Sequence, residues 1–136
     1  MIKLKKSQMQ AAMRSDAAFA EWYCEEFMKV HLPQSYFSVS DEGRREMVLN
    51  GRRYAQHFGF SDLRAQAEFI TLMWKIGANF FVQPGFAEAL SDRTETDLVR
   101  IDGLYNVSRD QAADAILKQD ARYWYPEMVQ RDGVAT

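Results

Sequence analysis

The chain is poor in the residues that most narrow a function. It has one cysteine and two histidines in 136 residues. One thiol closes no internal disulfide and builds no Cys-rich zinc module. Seven glycines and three prolines are too few for collagen-like or linker-like sequence. Positive charge is not in surplus: 17 Lys and Arg stand against 19 Asp and Glu, a net charge of −2. That speaks against nucleic acid as a partner, because phosphate binding draws on excess Lys and Arg. No run approaches the roughly 18 consecutive apolar residues of a membrane span, so no membrane partner is expected. Met1 to Lys6 is basic, but no apolar stretch follows it as in a secretory signal. The expected location is the cytoplasm, where a lone thiol such as Cys24 is stable. No stretch alternates apolar and polar residues long enough to make a strand.

What the chain does have is apolar and aromatic bulk, 47% and 13% of its residues. Surface scaling lets a folded chain of this size bury about 68% of its surface. The length suits one domain over residues 1–136. The pattern predicts an all-α, single-domain bundle of about five or six helices, with an antiparallel helical hairpin at its centre. Ser7 to Gln10 reads as a capping box. Phe19, Trp22, Tyr23, Phe27 and Val30 form one apolar stripe at helical spacing, ended by Pro33. Pro33 to Val39 reads as an aromatic loop. Ser40 or Asp41 caps a long helix whose inward face is Met47, Gly51, Tyr54, Ala55 and Phe58, and Gly59 suits its left-handed end. Ser61-Asp62 caps the next helix, the most apolar of all, from Leu63 to Gly77. A connection that short makes the two antiparallel neighbours. Pro84 opens a short helix through Leu90. Thr94 with Asp97 caps a helix to Tyr105, and Ser108 with Gln111 opens a last one running through Tyr123 and Trp124 to Pro126. Arg131 to Thr136 reads as a frayed end.

No catalytic, metal-binding or cofactor-binding constellation emerges. Cys24 sits mid-helix beside Glu25 and Glu26, which do not lower a thiol pKa. His31 and His57 lie far apart, each near a helix C-terminus where the dipole favours a cation. Neither has a carboxylate or a second histidine three or four positions away, as a helix-borne metal site needs. The acidic groups Asp41-Glu42 and Asp92, Glu95, Asp97 fall at predicted helix starts, where capping accounts for them. The expectation is therefore a protein without enzymatic activity.

Two features point instead to a protein partner. Arg44, Arg45 and Arg52, with Arg53, lie along the sides of one helix; they suit an acidic partner or simply a solvated face. Tyr36 and Phe37 fall in the predicted loop, and Tyr123, Trp124 and Tyr125 are consecutive. Three successive helical residues point in three directions, so the last group either leaves an aromatic for an interface, where Tyr and Trp are enriched, or is clamped on both sides by its own domain. The candidate partner-binding residues are thus Tyr123, Trp124, Tyr125, Tyr36, Phe37, Arg44, Arg45 and Arg52.

The segment Tyr54 to Asp92 carries Phe58-Gly59, Asp62, Phe69-Ile70, Leu72-Met73, Gly77, Phe80, Pro84, Leu90 and Asp92, followed downstream by Ile101-Asp102-Gly103-Leu104-Tyr105. This arrangement resembles a family of small helical bacterial proteins encoded beside type VI secretion effectors and their VgrG or PAAR spike components. The chain departs from that pattern at Asn79 or Gln83, where the family has a second acidic residue, and in its Tyr123-Trp124-Tyr125-Pro126 ending. The resemblance implies a protein partner, either a secreted effector or toxin or a spike component. The implied role is that of an adaptor or chaperone, or alternatively of an immunity protein neutralising a cognate toxin. It supplies no catalytic residue and no oligomeric state.

Overall fold

The computed structural model describes residues 15–131. The cap expected at Ser7–Gln10 lies outside them, as does the frayed end expected over Arg131–Thr136 except for Arg131, which ends a helix. The fold is all-α: among the described residues there are helices and short 3-10 turns and no strand. The chain divides into two compact units, Met1–Leu49 and Asn50–Thr136.

The first unit opens with α1, which starts as Asp16–Glu21, continues through π-helical turns over Trp22–Met28 and closes as Lys29–His31. The Ser15 hydroxyl caps it by accepting from Ala18 N at 3.1 Å. In the π segment the backbone bonds reach back five residues, as from Lys29 N to Cys24 O. The wider turns change which side chains share a face. Phe19, Ala20, Tyr23, Cys24 and Met28 are buried, whereas Val30, the last residue of the expected stripe, is 64% exposed. After Leu32, α2 spans Pro33–Ser38. The aromatic loop expected here is a helix, because Pro33 supplies the preset φ of a first helical turn rather than ending a helix. The Ser40 hydroxyl then accepts from Gly43 N at 3.1 Å and starts α3, Asp41–His57.

α3 runs into the second unit, where its residues from Asn50 onward meet α4, Leu63–Lys75, in the expected antiparallel hairpin. Gly59 has φ 91°, the left-handed end anticipated for it, and Asp62 caps α4 by accepting from Ala65 N at 3.0 Å. The helices approach closely at Gly51, where a Cβ would lie 3.0 Å from Ile70 Cγ1 and 3.2 Å from Met73 Sδ. A 3-10 turn, Phe80–Val82, leads to α5, Phe86–Ser91. Then come α6, Asp97–Tyr105, packed on α4 and α5, and α7, Arg109–Leu117. The cap of α6 is Thr96, not Thr94; Thr94 is held by Asp92 instead, through its N at 2.9 Å and Oγ1 at 2.6 Å. Ser108 caps α7 as expected, accepting from Gln111 N at 3.2 Å.

The long final helix is a second correction. α7 stops at Leu117, a 3-10 turn covers Ala121–Trp124, and α8 runs over Pro126–Arg131. Pro126 begins a helix rather than ending one. The described residues hold eight helices instead of five or six, and both additions start at a proline.

The core of the second unit is an aromatic chain. Phe69 contacts Phe80, Phe81, Phe58 and Phe60 with ring centroids 4.9 to 5.9 Å apart, and Tyr54 lies 4.7 Å from Phe81. Tilted and offset-stacked pairs of this kind add to the burial energy of each ring.

Candidate functional site

The C-terminal aromatics belong mostly to the interior. Tyr123 and Trp124 are each 5% exposed. The Trp124 ring lies 4.3 Å from that of Trp74, and Tyr123 meets Phe81 edge-on at 5.9 Å. The backbone is fixed as well: Asn50 Nδ2 donates to Trp124 O at 2.8 Å. Asn79 holds the same segment from another side, donating from Nδ2 to Lys118 O at 3.1 Å and accepting from Asp120 N at 3.0 Å. The clamped alternative therefore describes these two residues, and only Tyr125 of the three is partly open.

The other aromatic pair splits between inside and outside. Tyr36 is 7% exposed, and its hydroxyl donates to Glu25 at 2.8 Å. The Arg44 guanidinium stacks 3.8 Å from the centre of the Tyr36 ring. Its Nη1 donates to Tyr36 O at 2.8 Å and to Val39 O, and its Nη2 pairs with Asp41 at 3.3 Å. Phe37, one position on, is 72% exposed and lies edge-on to Tyr36 at 4.9 Å. A bare phenyl ring is thus presented by a helix whose neighbouring side chain is locked from two directions.

The arginines divide in the same way. Arg44 and Arg52 are buried, against the expectation that the cluster points to the sides and out. Arg52 Nε donates to Gln66 Oε1 at 2.9 Å, and Gln66 Nε2 in turn donates to Phe60 O at 2.8 Å. Both arginines thus serve acceptors inside the fold. Arg45 is half-buried and lies 3.3 Å from Asp41, and Arg53 is exposed. Of the eight candidate residues, Phe37, Arg45 and Tyr125 keep surface for a partner. Burial is not readable from spacing alone, because an amphipathic pattern does not distinguish a flanking arginine from one that turns inward.

Cys24 is fully buried, and desolvation pushes its thiol up to about 11 despite the nearby charges of Arg45 and Arg44. The thiolate that nucleophilic chemistry requires is scarce at neutral pH. The exposed rings of His31 and His57 lie against Phe27 at 4.7 Å and Phe58 at 5.2 Å. Among the described residues no three His, Cys, Asp or Glu side chains are grouped to hold a metal ion, and no helix is long and apolar enough to cross a membrane. No family model, curated protein or solved structure matches the chain.

Proposed function

We propose that this chain is a non-enzymatic protein-interaction module, acting as adaptor or chaperone for a type VI secretion effector or spike component. The partner class rests on the resemblance over Tyr54 to Asp92. The observation that carries the interaction reading is Phe37, exposed on α2 beside Tyr36, which Glu25 and Arg44 hold in place. A large apolar ring on an anchored helix makes an efficient anchor, because no backbone freedom is lost when a partner covers it. The burial that pushes the Cys24 thiol up to about 11 speaks against that residue as a nucleophile.

The test is co-expression with the products of the neighbouring genes, which this reading expects to include an effector or a spike component. Phe37→Ala is expected to leave stability within about 0.5 kcal/mol and to weaken capture of the partner tenfold or more. An unchanged affinity would remove Phe37 from the interface. Restored secretion of the effector supports the escort role. Protection of cells from a catalytically intact toxin, with no effect on secretion, assigns the immunity role instead.

A further inference from the structure

Gly59 closes α3 in a left-handed conformation, and two guanidinium groups converge on it. A Cβ placed there would lie 3.5 Å from Arg93 Nη1 and 3.6 Å from Arg100 Nη1. The two cations thus face a single residue that has no side chain.

Their direct hydrogen-bond partners carry no charge. Arg93 is exposed and donates from Nη2 to His57 O at 3.2 Å. Arg100 is 5% exposed; its Nη2 donates to Leu90 O at 3.1 Å, and its guanidinium lies 4.3 Å from the centre of the Phe60 ring. Both hydrogen-bond acceptors are uncharged carbonyls. Arg100 Nε is buried with no hydrogen-bond partner. Among the described residues, neither arginine has a carboxylate within ion-pair distance.

Two acidic side chains, Asp97 and Asp92, favour the Arg100 charge through space; neither is in ion-pair contact with it, and one oxygen of each is engaged by other donors. Asp97 Oδ2 accepts from Ser61 N at 2.9 Å and from Asp62 N at 2.8 Å. Asp92 Oδ1 accepts from the amide and hydroxyl of Thr94. Burial, and then the charge of Arg93, draw the Arg100 guanidinium below its ordinary pKa. A buried cation with a like charge beside it and no directly paired carboxylate is unfavourable. It is tolerated most readily where an anion relieves it.

We propose that the space over Gly59, between Arg93 and Arg100, binds one oxyanion group of a ligand, a phosphate or a carboxylate. Guanidinium forks suit both, offering paired donors to paired oxygens. A side chain at position 59 would fill the space, and glycine leaves it open. This inference is independent of the partner assigned above.

The test is a 15N NMR titration of the full chain with sodium phosphate and, separately, with sodium acetate, at ionic strength held constant with sodium chloride. Saturable shifts are expected at the Gly59 amide and at Arg100 Nε with at least one anion. Tighter saturation by phosphate identifies a phosphate site, and tighter saturation by acetate a carboxylate site. Arg93 is exposed, so Arg93→Gln is expected to fold normally and to weaken binding tenfold or more. Arg109→Gln, on α7, is expected to bind as the parent does. The favoured anion at ten times its Kd is expected to raise Tm by about 5 °C, and at the same concentration this rise should fall to about 1.5 °C or less in Arg93→Gln. Non-saturating shifts with both anions would overturn the proposal, as would saturation unaffected by Arg93→Gln.

Discussion

The indole rings of Trp74 and Trp124 lie 4.3 Å apart, tilted at 38°. They join the end of α4 to the 3-10 turn that precedes α8. Trp124 reads from sequence as a candidate anchor for a partner, and in the structure its partner is another residue of the same unit.

Trp124→Ala is therefore expected to destabilise the chain by about 3–5 kcal/mol, measured by urea denaturation without any partner. Trp124→Phe keeps a ring against Trp74 and should lose less. It should also abolish any paired-indole signal in the near-ultraviolet circular dichroism. A Trp124→Ala variant with unchanged stability would place this ring outside the core.

Arg44 is expected to be structural. Arg44→Met leaves the carbonyls of Tyr36 and Val39 without their charged donor and removes the cation from the Tyr36 ring. A loss of about 2–4 kcal/mol follows. Arg44→Lys should recover little of it, because a single ammonium cannot both stack on the ring and reach two carbonyls and Asp41. Thermal denaturation of the two variants beside the parent checks this.

Two glycines within helices should respond in opposite directions. Gly51→Ala forces a methyl group against Ile70 and Met73 and is expected to cost about 1–3 kcal/mol. At Gly103, in α6, an alanine methyl would meet nothing within 4 Å. Gly103→Ala is expected to stabilise by roughly 0.5–1 kcal/mol through helix propensity alone. Chemical denaturation of the pair separates packing from propensity.

Alkaline pH should weaken the fold. Burial pushes Cys24 from 9.0 up to about 11. Burial, followed by the charge of Tyr123, pushes Tyr54 from 10.0 up to about 12. Both folded values are raised, so between the unfolded and folded pKa the native state holds more protons than the unfolded state, and stability falls as pH rises. The contribution of Cys24 is complete below about pH 9 and lost through about 11; that of Tyr54 is complete below about 10 and lost through about 12. Urea denaturation from pH 8 upward should show this decline. Thiol labelling at pH 8 should be slower in the native protein than in denaturant by roughly two orders of magnitude, reflecting the rare opening of a buried site.

The helical class and most helix starts were legible because they depend on local chemistry. Asp62 and Ser108 cap where their sequence contexts indicate, and Gly59 adopts the positive φ that its position demands. Proline misled twice, since Pro33 and Pro126 are equally compatible with the end of one helix and the start of the next. The π turns of α1 were not legible, because an apolar stripe with some slack fits either four- or five-residue return spacing. The candidate site was less legible than the fold. Trp124, Arg44 and Arg52 are types often found at interfaces, but whether each turns inward depends on acceptors and rings brought up by other parts of the fold. Arg93 and Arg100 gave no local signal at all, since their meeting point at Gly59 is created by tertiary folding.

Asn79 bonds both Lys118 O and Asp120 N, so its carboxamide does for this stretch what a neighbouring peptide group would do in a ladder. One side chain stands in for a missing strand. The bend behind α4 thus supplies the template on which the tail is held. A chain cut short before Asp120 would keep the template and lose what it was built to hold, exposing Trp74 and Phe81 along the strip the tail had covered.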